Sequence, residues 1–225
     1  MIVAGKTSTP NWLGPEQAEL HCARGAGVWE WAGTATGVER TWYSAAGDAP
    51  TVEVLAAAAL LREHLPRLRV RVVNVVDLLR LQPDSLHPHG MPDNDFDDLF
   101  TVDKPVIFAY HGYPWLIHRL TYRRRNHHNI HARGYKEQGT TTTPFDMLVR
   151  NDMDRYRLVV DVLDRTPGIG VRTEALRELM GDQRRQHHEW IREHGDDLPE
   201  IKDWHWPASA VDGAESPDRL GPLAL

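Results

Sequence analysis

Two short apolar runs constrain the fold of this chain most: Arg69–Val76 (RVRVVNVV) and Pro105–Tyr110 (PVIFAY). The first is β-branched and partly alternating, which reads as a strand. The second carries no polar alternation, the pattern of a parallel strand covered on both faces. Amphipathic runs lie between and after them. Asp48–His64 (DAPTVEVLAAAALLREH) reads as a helix, because Asp48 or Thr51 can cap it, Ala and Leu fill it and Pro66 follows its end. Strand and helix alternating in this way imply an α/β fold, a three-layer α/β/α sandwich around a mostly parallel sheet. Right-handed crossovers would place helices on both faces.

The remaining elements are expected to follow the same plan. Thr41–Ala45 is a weaker strand candidate, Asp93–Phe100 a short acidic helix, Tyr113–Arg124 a helix and Ile130–Tyr135 a strand. Thr143 and Pro144 open a further helix, with Thr as cap and Pro at the first helical position. Leu148, Tyr156, Val159, Val160 and Leu163 then recur at helical spacing, with Asp152 marking a break. Thr173–Glu193 is the last helix, its apolar face formed by Leu176, Leu179, Met180, Trp190 and Ile191. The organisation expected is an irregular lead-in over residues 1–40, an α/β domain over 41–206 and a loosely ordered tail over 207–225. A short helix at Glu16–Cys22 can form within the lead-in, and Trp12, Trp29 and Trp31 there must pack against something.

Bulk properties exclude several function classes. The chain has 225 residues, 41% hydrophobic and 26% charged, with a formal net charge of -6. That balance suits one globular domain and argues against binding nucleic acid or a membrane surface. Cys22 is the only cysteine, so no internal disulfide can form. No run approaches the ~20 apolar residues of a membrane helix, and residues 1–12 lack the basic and apolar regions of a secretory signal. A cytoplasmic protein is expected.

Several residue groups invite a functional reading. His87-Pro88-His89, His127-His128 with His131, and His187-His188 suggest a metal, but adjacent residues do not share a helix face, and surface or interface histidines are favoured. Arg119, Arg123, Arg124, Arg125, His127, His128, His131 and Arg133 form a basic stretch. A phosphate-bearing small molecule or an inter-subunit ion pair suits it better than nucleic acid on so acidic a chain. Thr140–Thr143 could meet an anion at a helix N-terminus, though a plain N-cap is favoured. His21 beside Cys22 is a nucleophile pair only on paper, since neighbours in sequence rarely meet as base and nucleophile.

Two motifs are absent. No G-x-G-x-x-G opens a helix after a strand, so there is no dinucleotide fingerprint. Gly47-Asp48, Gly181-Asp182 and Gly195-Asp196 each lack the second glycine of a Gly-Asp-Gly motif.

The segments VRVVNVVDLLRLQP (70–83), HPHG (87–90), DKPVIFAYHGYPWLIHRLTYRR (103–124) and RGYKEQGTTTTPFDM (133–147) resemble the C-terminal domain of phosphoketolases. The likeness runs from about Ile2 to about Pro167 and continues more weakly to about Trp206. It implies a sandwich similar to the transketolase C-terminal domain. The family's enzymes cleave ketose phosphates with inorganic phosphate to acetyl phosphate, an aldose phosphate and water. Their cofactors are thiamine diphosphate and magnesium, held by two preceding domains across a dimer interface through the Gly-Asp-Gly motif missing here.

The resemblance therefore implies a domain that binds no cofactor alone, is inactive alone, supports a homodimer or larger assembly and borders the substrate channel. Its partners would be the N-terminal and middle phosphoketolase domains and a sugar phosphate. The opening IVAGK resembles the stretch whose lysine grips the substrate phosphate, which makes Lys6 a phosphate-binding candidate. Tyr110, His111 and Tyr113 follow a strand within a family-like segment and are site or interface candidates. No catalytic or metal-binding residue is assigned. Met1 falls at what resembles an inter-domain join, so a split gene, a truncated gene or a fragment is expected. The strand RTWYSAA is less apolar, and the loop at 123–131 more basic, than the family pattern suggests. A stand-alone binding module for a phosphorylated metabolite is the alternative reading, and a non-functional remnant the third.

Overall fold

A computed structural model of the protein describes residues 9–34, 41–136, 141–166 and 172–207. In chain order its elements are α1 (Pro15–Arg24), β1 (Ala26–Val28), β2 (Thr41–Ala46), α2 (Asp48–His64), β3 (Val70–Val75), α3 (Asp93–Phe100), β4 (Val106–Tyr110), α4 (Pro114–Thr121), β5 (Ile130–Arg133), α5 (Pro144–Arg150), α6 (Arg155–Arg165), α7 (Arg172–His194) and α8 (Pro199–Lys202). They build one five-stranded sheet in the order β1-β3-β2-β4-β5. β3, β2, β4 and β5 run parallel, and β1 adds to the edge antiparallel to β3.

Successive side chains of a strand point to opposite faces, and that rule sorts the core into two layers. Val70 and Val72 of β3 and Ile107 and Ala109 of β4 pack with α2, α6, α7 and α8. Val73 and Val75 of β3, Val106 and Phe108 of β4 and Ile130 of β5 pack with α3 and α4 on the other face. Val106, Ile107, Phe108 and Ala109 are all at most 1% exposed, as the unbroken apolar run requires. Each large side chain so covered contributes roughly 1.5–3 kcal/mol over leaving it in water. The three-layer α/β/α reading therefore holds.

The element ends show where local chemistry overrides periodicity. The lead-in is more regular than its composition suggests: it supplies all of α1 and the edge strand β1. Trp12 stacks on Trp31 at 6.2 Å, and Trp31 meets Trp29 at 5.4 Å and Trp206 at 5.2 Å, so the lead-in tryptophans pack against the segment after α8. The weak candidate at residue 41 is the central strand, paired on both sides. β5 stops at Arg133 rather than Tyr135, because Gly134 runs so close to the Gly112 carbonyl that a Cβ would sit 2.2 Å from it. α4 stops at Thr121, before the expected Arg124, and the Thr121 hydroxyl donates back to the Ile117 carbonyl at 2.8 Å. Asp152 takes a left-handed φ of 55° and separates α5 from α6, where Asp154 accepts from the Arg157 N–H as N-cap. On α7, Leu176 and Met180 are buried as expected, whereas Leu179 is exposed.

One ion pair ties this architecture together. Arg155, at the start of α6, donates from Nη2 to Glu53 Oε1 at 2.8 Å and from Nε to Oε2 at 3.0 Å, and its backbone N–H reaches Oε2 at 2.8 Å. Both residues are buried. The guanidinium also lies 5.3 Å from the Trp204 ring and 5.4 Å from Phe145. Burial opposes its charge, but the Glu53 carboxylate more than offsets this and raises the Arg155 pKa. Removing one partner strands a buried charge, so Glu53→Ala is expected to cost about 3–5 kcal/mol in urea denaturation. Glu53→Leu combined with Arg155→Met should recover most of it. A loss under about 1 kcal/mol for Glu53→Ala would mean the pair does not lock α2 to α6.

Candidate functional site

Strand order places a topological switch point in the middle of the sheet. From β2 the chain passes to β3 on one side and then to β4 on the other, so the connections diverge outside the carboxyl ends of β2 and β4. A crevice at that position is where open α/β sheets bind ligands. Here the two loops are Gly47-Asp48, leading into α2, and His111-Gly112-Tyr113, leading into α4.

Gly47 lets these loops close on each other. Its φ is 103°, and a Cβ there would lie 2.6 Å from the His111 Cβ. Asp48 Oδ1 lies 3.1 Å from His111 Nδ1 and accepts the Ala49 N–H at 2.9 Å. Both side chains keep about a quarter of their surface in water, 22% for Asp48 and 27% for His111. A carboxylate on Nδ1 selects the tautomer whose Nε2 carries the lone pair. The pair can therefore accept a proton or hydroxyl hydrogen bond at Nε2, or, once protonated, donate to an anion.

Tyr135 completes the cluster. Its ring lies 5.5 Å from His111, its N–H donates to the Gly112 carbonyl at 2.8 Å, and burial and then the Asp48 carboxylate push its phenol pKa up. A chain of hydrogen bonds braces the crevice from the other side. His21 Nε2 meets Asn74 Oδ1 at 2.8 Å, Asn74 Nδ2 donates to Thr51 Oγ1 at 3.2 Å, and Thr51 Oγ1 donates to the Gly47 carbonyl at 2.6 Å. A second imidazole–carboxylate pair, His89 and Asp77 at 3.1 Å, follows the end of β3 on the exposed HPHG loop.

Of the candidates read from sequence, His111 enters this cluster. Tyr110 packs instead against the core beneath α3 and α4, and Tyr113 is an exposed N-cap of α4. Lys6 and Thr140 lie outside the described residues. Sequence reasoning missed Asp48 and Tyr135 as site residues. Asp48 reads as an ordinary helix cap and Tyr135 as a strand end, and only the pairing of β4 with β2 on one side and β5 on the other brings them to His111.

The other groups resolve into structural roles. Thr143 caps α5 by accepting from Asp146 N at 3.4 Å, and Thr142 donates to the Asp146 carboxylate, so these two threonines serve the start of a helix. His21 bonds Asn74, while Cys22 is exposed. The basic stretch is split. Arg124 is buried and donates to the carbonyls of Leu81, Gln82 and Met91, Arg133 pairs with buried Asp161, and Arg119 and Arg123 face solvent. His131 is pushed down to about 4 by burial and by Arg165. Among the described residues no three of His, Cys, Asp and Glu converge as metal ligands. With no Gly-Asp-Gly motif either, the described residues do not fit magnesium diphosphate.

Gly47 supplies a test of the crevice. Gly47→Ala is expected to cost about 1–3 kcal/mol, from strain at positive φ, and to break the Asp48–His111 contact. Gly195→Ala, at φ 68° with open space around it, should lose less and leave the His111 imidazole resonances in place. Equal effects of the two substitutions on the His111 resonances would refute the close approach.

Comparison with known proteins shows the family. A family model described as XFP C-terminal domain matches residues 6–206. The chain is 66% identical over 209 residues to a probable phosphoketolase of Streptomyces avermitilis, covering 92% of this chain and 26% of that protein. Over 210 residues it is 64% identical to one of Streptomyces coelicolor, and over 213 residues 59% identical to one of Nocardia farcinica, with the same coverage of 92% and 26%. It thus spans about a quarter of the length of the curated relatives it matches. The chain belongs to the XFP C-terminal domain family, the C-terminal domain of phosphoketolases.

Proposed function

We propose that the chain serves as the C-terminal domain of a thiamine-diphosphate- and magnesium-dependent phosphoketolase of the cytoplasm, one that converts a ketose phosphate and inorganic phosphate to acetyl phosphate, an aldose phosphate and water. The cofactor sits in the remaining three quarters of the enzyme. This domain borders the substrate channel and supports the dimer, and it is inactive by itself. The observation that carries the reading is the Asp48–His111 pair, 3.1 Å apart at the switch point of a domain of this family.

In that role Asp48 fixes the imidazole, and His111 Nε2 orients a sugar hydroxyl or, when protonated, a phosphate oxygen. Tyr135 walls the crevice. Tyr110 and Tyr113 flank the same loop, Tyr113 toward the neighbouring domain, and Lys6 contributes a point charge for the substrate phosphate from the stretch joining the preceding domain.

The test is acetyl phosphate formation from xylulose 5-phosphate, phosphate, thiamine diphosphate and magnesium. It is run on the purified chain alone and on the chain mixed with a separately expressed cofactor-binding portion of a relative. Activity is expected in the mixture only. His111→Ala is expected to lower kcat/KM in the mixture by about 10–100-fold, mostly through KM for the sugar phosphate. Activity from the chain alone, or none in the mixture, would contradict the reading. Tight binding of a phosphorylated metabolite by the lone chain would favour the stand-alone module instead.

A further inference from the structure

The outer surface of α3 and α4 is unlike the rest of the domain. α4 buries Ile117, Leu120 and Thr121, with Arg124 beyond its end, and turns Trp115, Arg119 and Tyr122 outward at spacings of four and three. Trp115 is 64% exposed and Tyr122 52%, and Val102 after α3 and Tyr113 before α4 are exposed with them. These four make up half of the eight large hydrophobic side chains exposed among the described residues, so the apolar exposure is concentrated here. Concentrated exposure of this kind marks an interaction surface. Arg123 lies over the Tyr122 ring at 5.5 Å and donates to its hydroxyl, which keeps that ring in an outward, cationic setting.

The charge beside this stripe has the opposite sign. Residues 124–126 run along α3: Arg124 pairs with Asp93, Arg125 with Asp97, and Asn126 donates to the Phe100 carbonyl. Those contacts use Asp93 and Asp97, while Asp95 and Asp98 stay exposed and form no side-chain salt bridge among the described residues. An acidic helix face and a basic aromatic one thus sit side by side. Adjacent patches of opposite charge meet the requirement for an isologous contact, in which each copy offers to its partner what it receives.

We infer that this face joins two copies of the chain about a two-fold axis, α4 of each copy lying on α3 of the other, with Trp115 and Tyr122 as anchors and Arg119 and Arg123 opposite Asp95 and Asp98. The inference deepens the dimer-supporting part of the function proposed above. Aromatic and arginine side chains are the usual anchors of such contacts.

Sedimentation velocity of the 225-residue chain over about 1 μM to 1 mM tests it. A monomer–dimer equilibrium is expected, weakened at least about tenfold by Trp115→Ala. The decisive variants reverse charge. Arg119→Glu with Arg123→Glu opposes acid to acid, and Asp95→Lys with Asp98→Lys opposes base to base, so each alone should remain monomeric. An equimolar mixture of the two should dimerise again, because both halves of the contact are then complementary; this rescue also shows that each variant is folded. A wild-type chain monomeric throughout, or variants that dimerise like wild type, would overturn the inference. The same holds if Trp115→Ala weakens binding to the cofactor-binding portion while the lone chain stays monomeric. Acetyl phosphate formation in the complementation assay reports on the proposed function separately, so either can fail alone.

Discussion

The ion pair between Glu53 and Arg155 is the interaction on which the rest of the domain depends. It joins residues 102 apart in sequence, between helices on one face of the sheet, at a depth where neither charge could stand alone. Satisfying both carboxylate oxygens and the Arg155 N–H fixes the position of α2 against α6. The rotation and height of α2 in turn set where its cap residue Gly47 and its first residue Asp48 meet the carboxyl end of β4. The crevice is thus positioned from behind, by a contact that touches no part of it.

The opposite face has its own anchor of the same kind. Arg124 is 3% exposed, donates to three main-chain carbonyls and to Asp93, and lies 4.3 Å from the Phe96 ring. Burial lowers its pKa, with Asp93 acting against that. One arginine thereby organises the long connection from β3 to α3, which otherwise holds little regular structure. Tryptophans draw two distant segments together: Trp12 and Trp31 from the lead-in meet Trp204 and Trp206 near the end of the described residues. The lead-in aromatic rings are therefore packed internally, and the exposed aromatic surface lies elsewhere, along α4.

Much of the architecture was legible in the sequence because burial dictates it. PVIFAY could only be a strand covered on both faces, and DAPTVEVLAAAALLREH matches α2 residue for residue. What escaped notice was what depends on pairing rather than on local pattern. RTWYSAA is too polar to announce a central strand, yet β3 and β4 flank it, so tertiary pairing outweighs its weak propensity. A three-residue edge strand, Ala26–Val28, carries too little periodicity to be seen. His111 was found because it follows a strand. Asp48 and Tyr135 were missed as site residues because 63 and 24 residues of sequence separate them from it and no spacing rule spans such gaps. The basic stretch illustrates the converse: its uniform charge hides the fact that Arg124 and Arg133 are internal while Arg119 and Arg123 face water.

The crevice between the carboxyl ends of β2 and β4 is, on this account, the side of the domain that faces the rest of the enzyme. Amide hydrogen exchange of the chain, alone and mixed with the cofactor-binding portion of a relative, measures that most directly. Slower exchange in the mixture at residues 47–51 and 111–113 is expected. Complex formation that leaves both segments exchanging as in the free chain would contradict it.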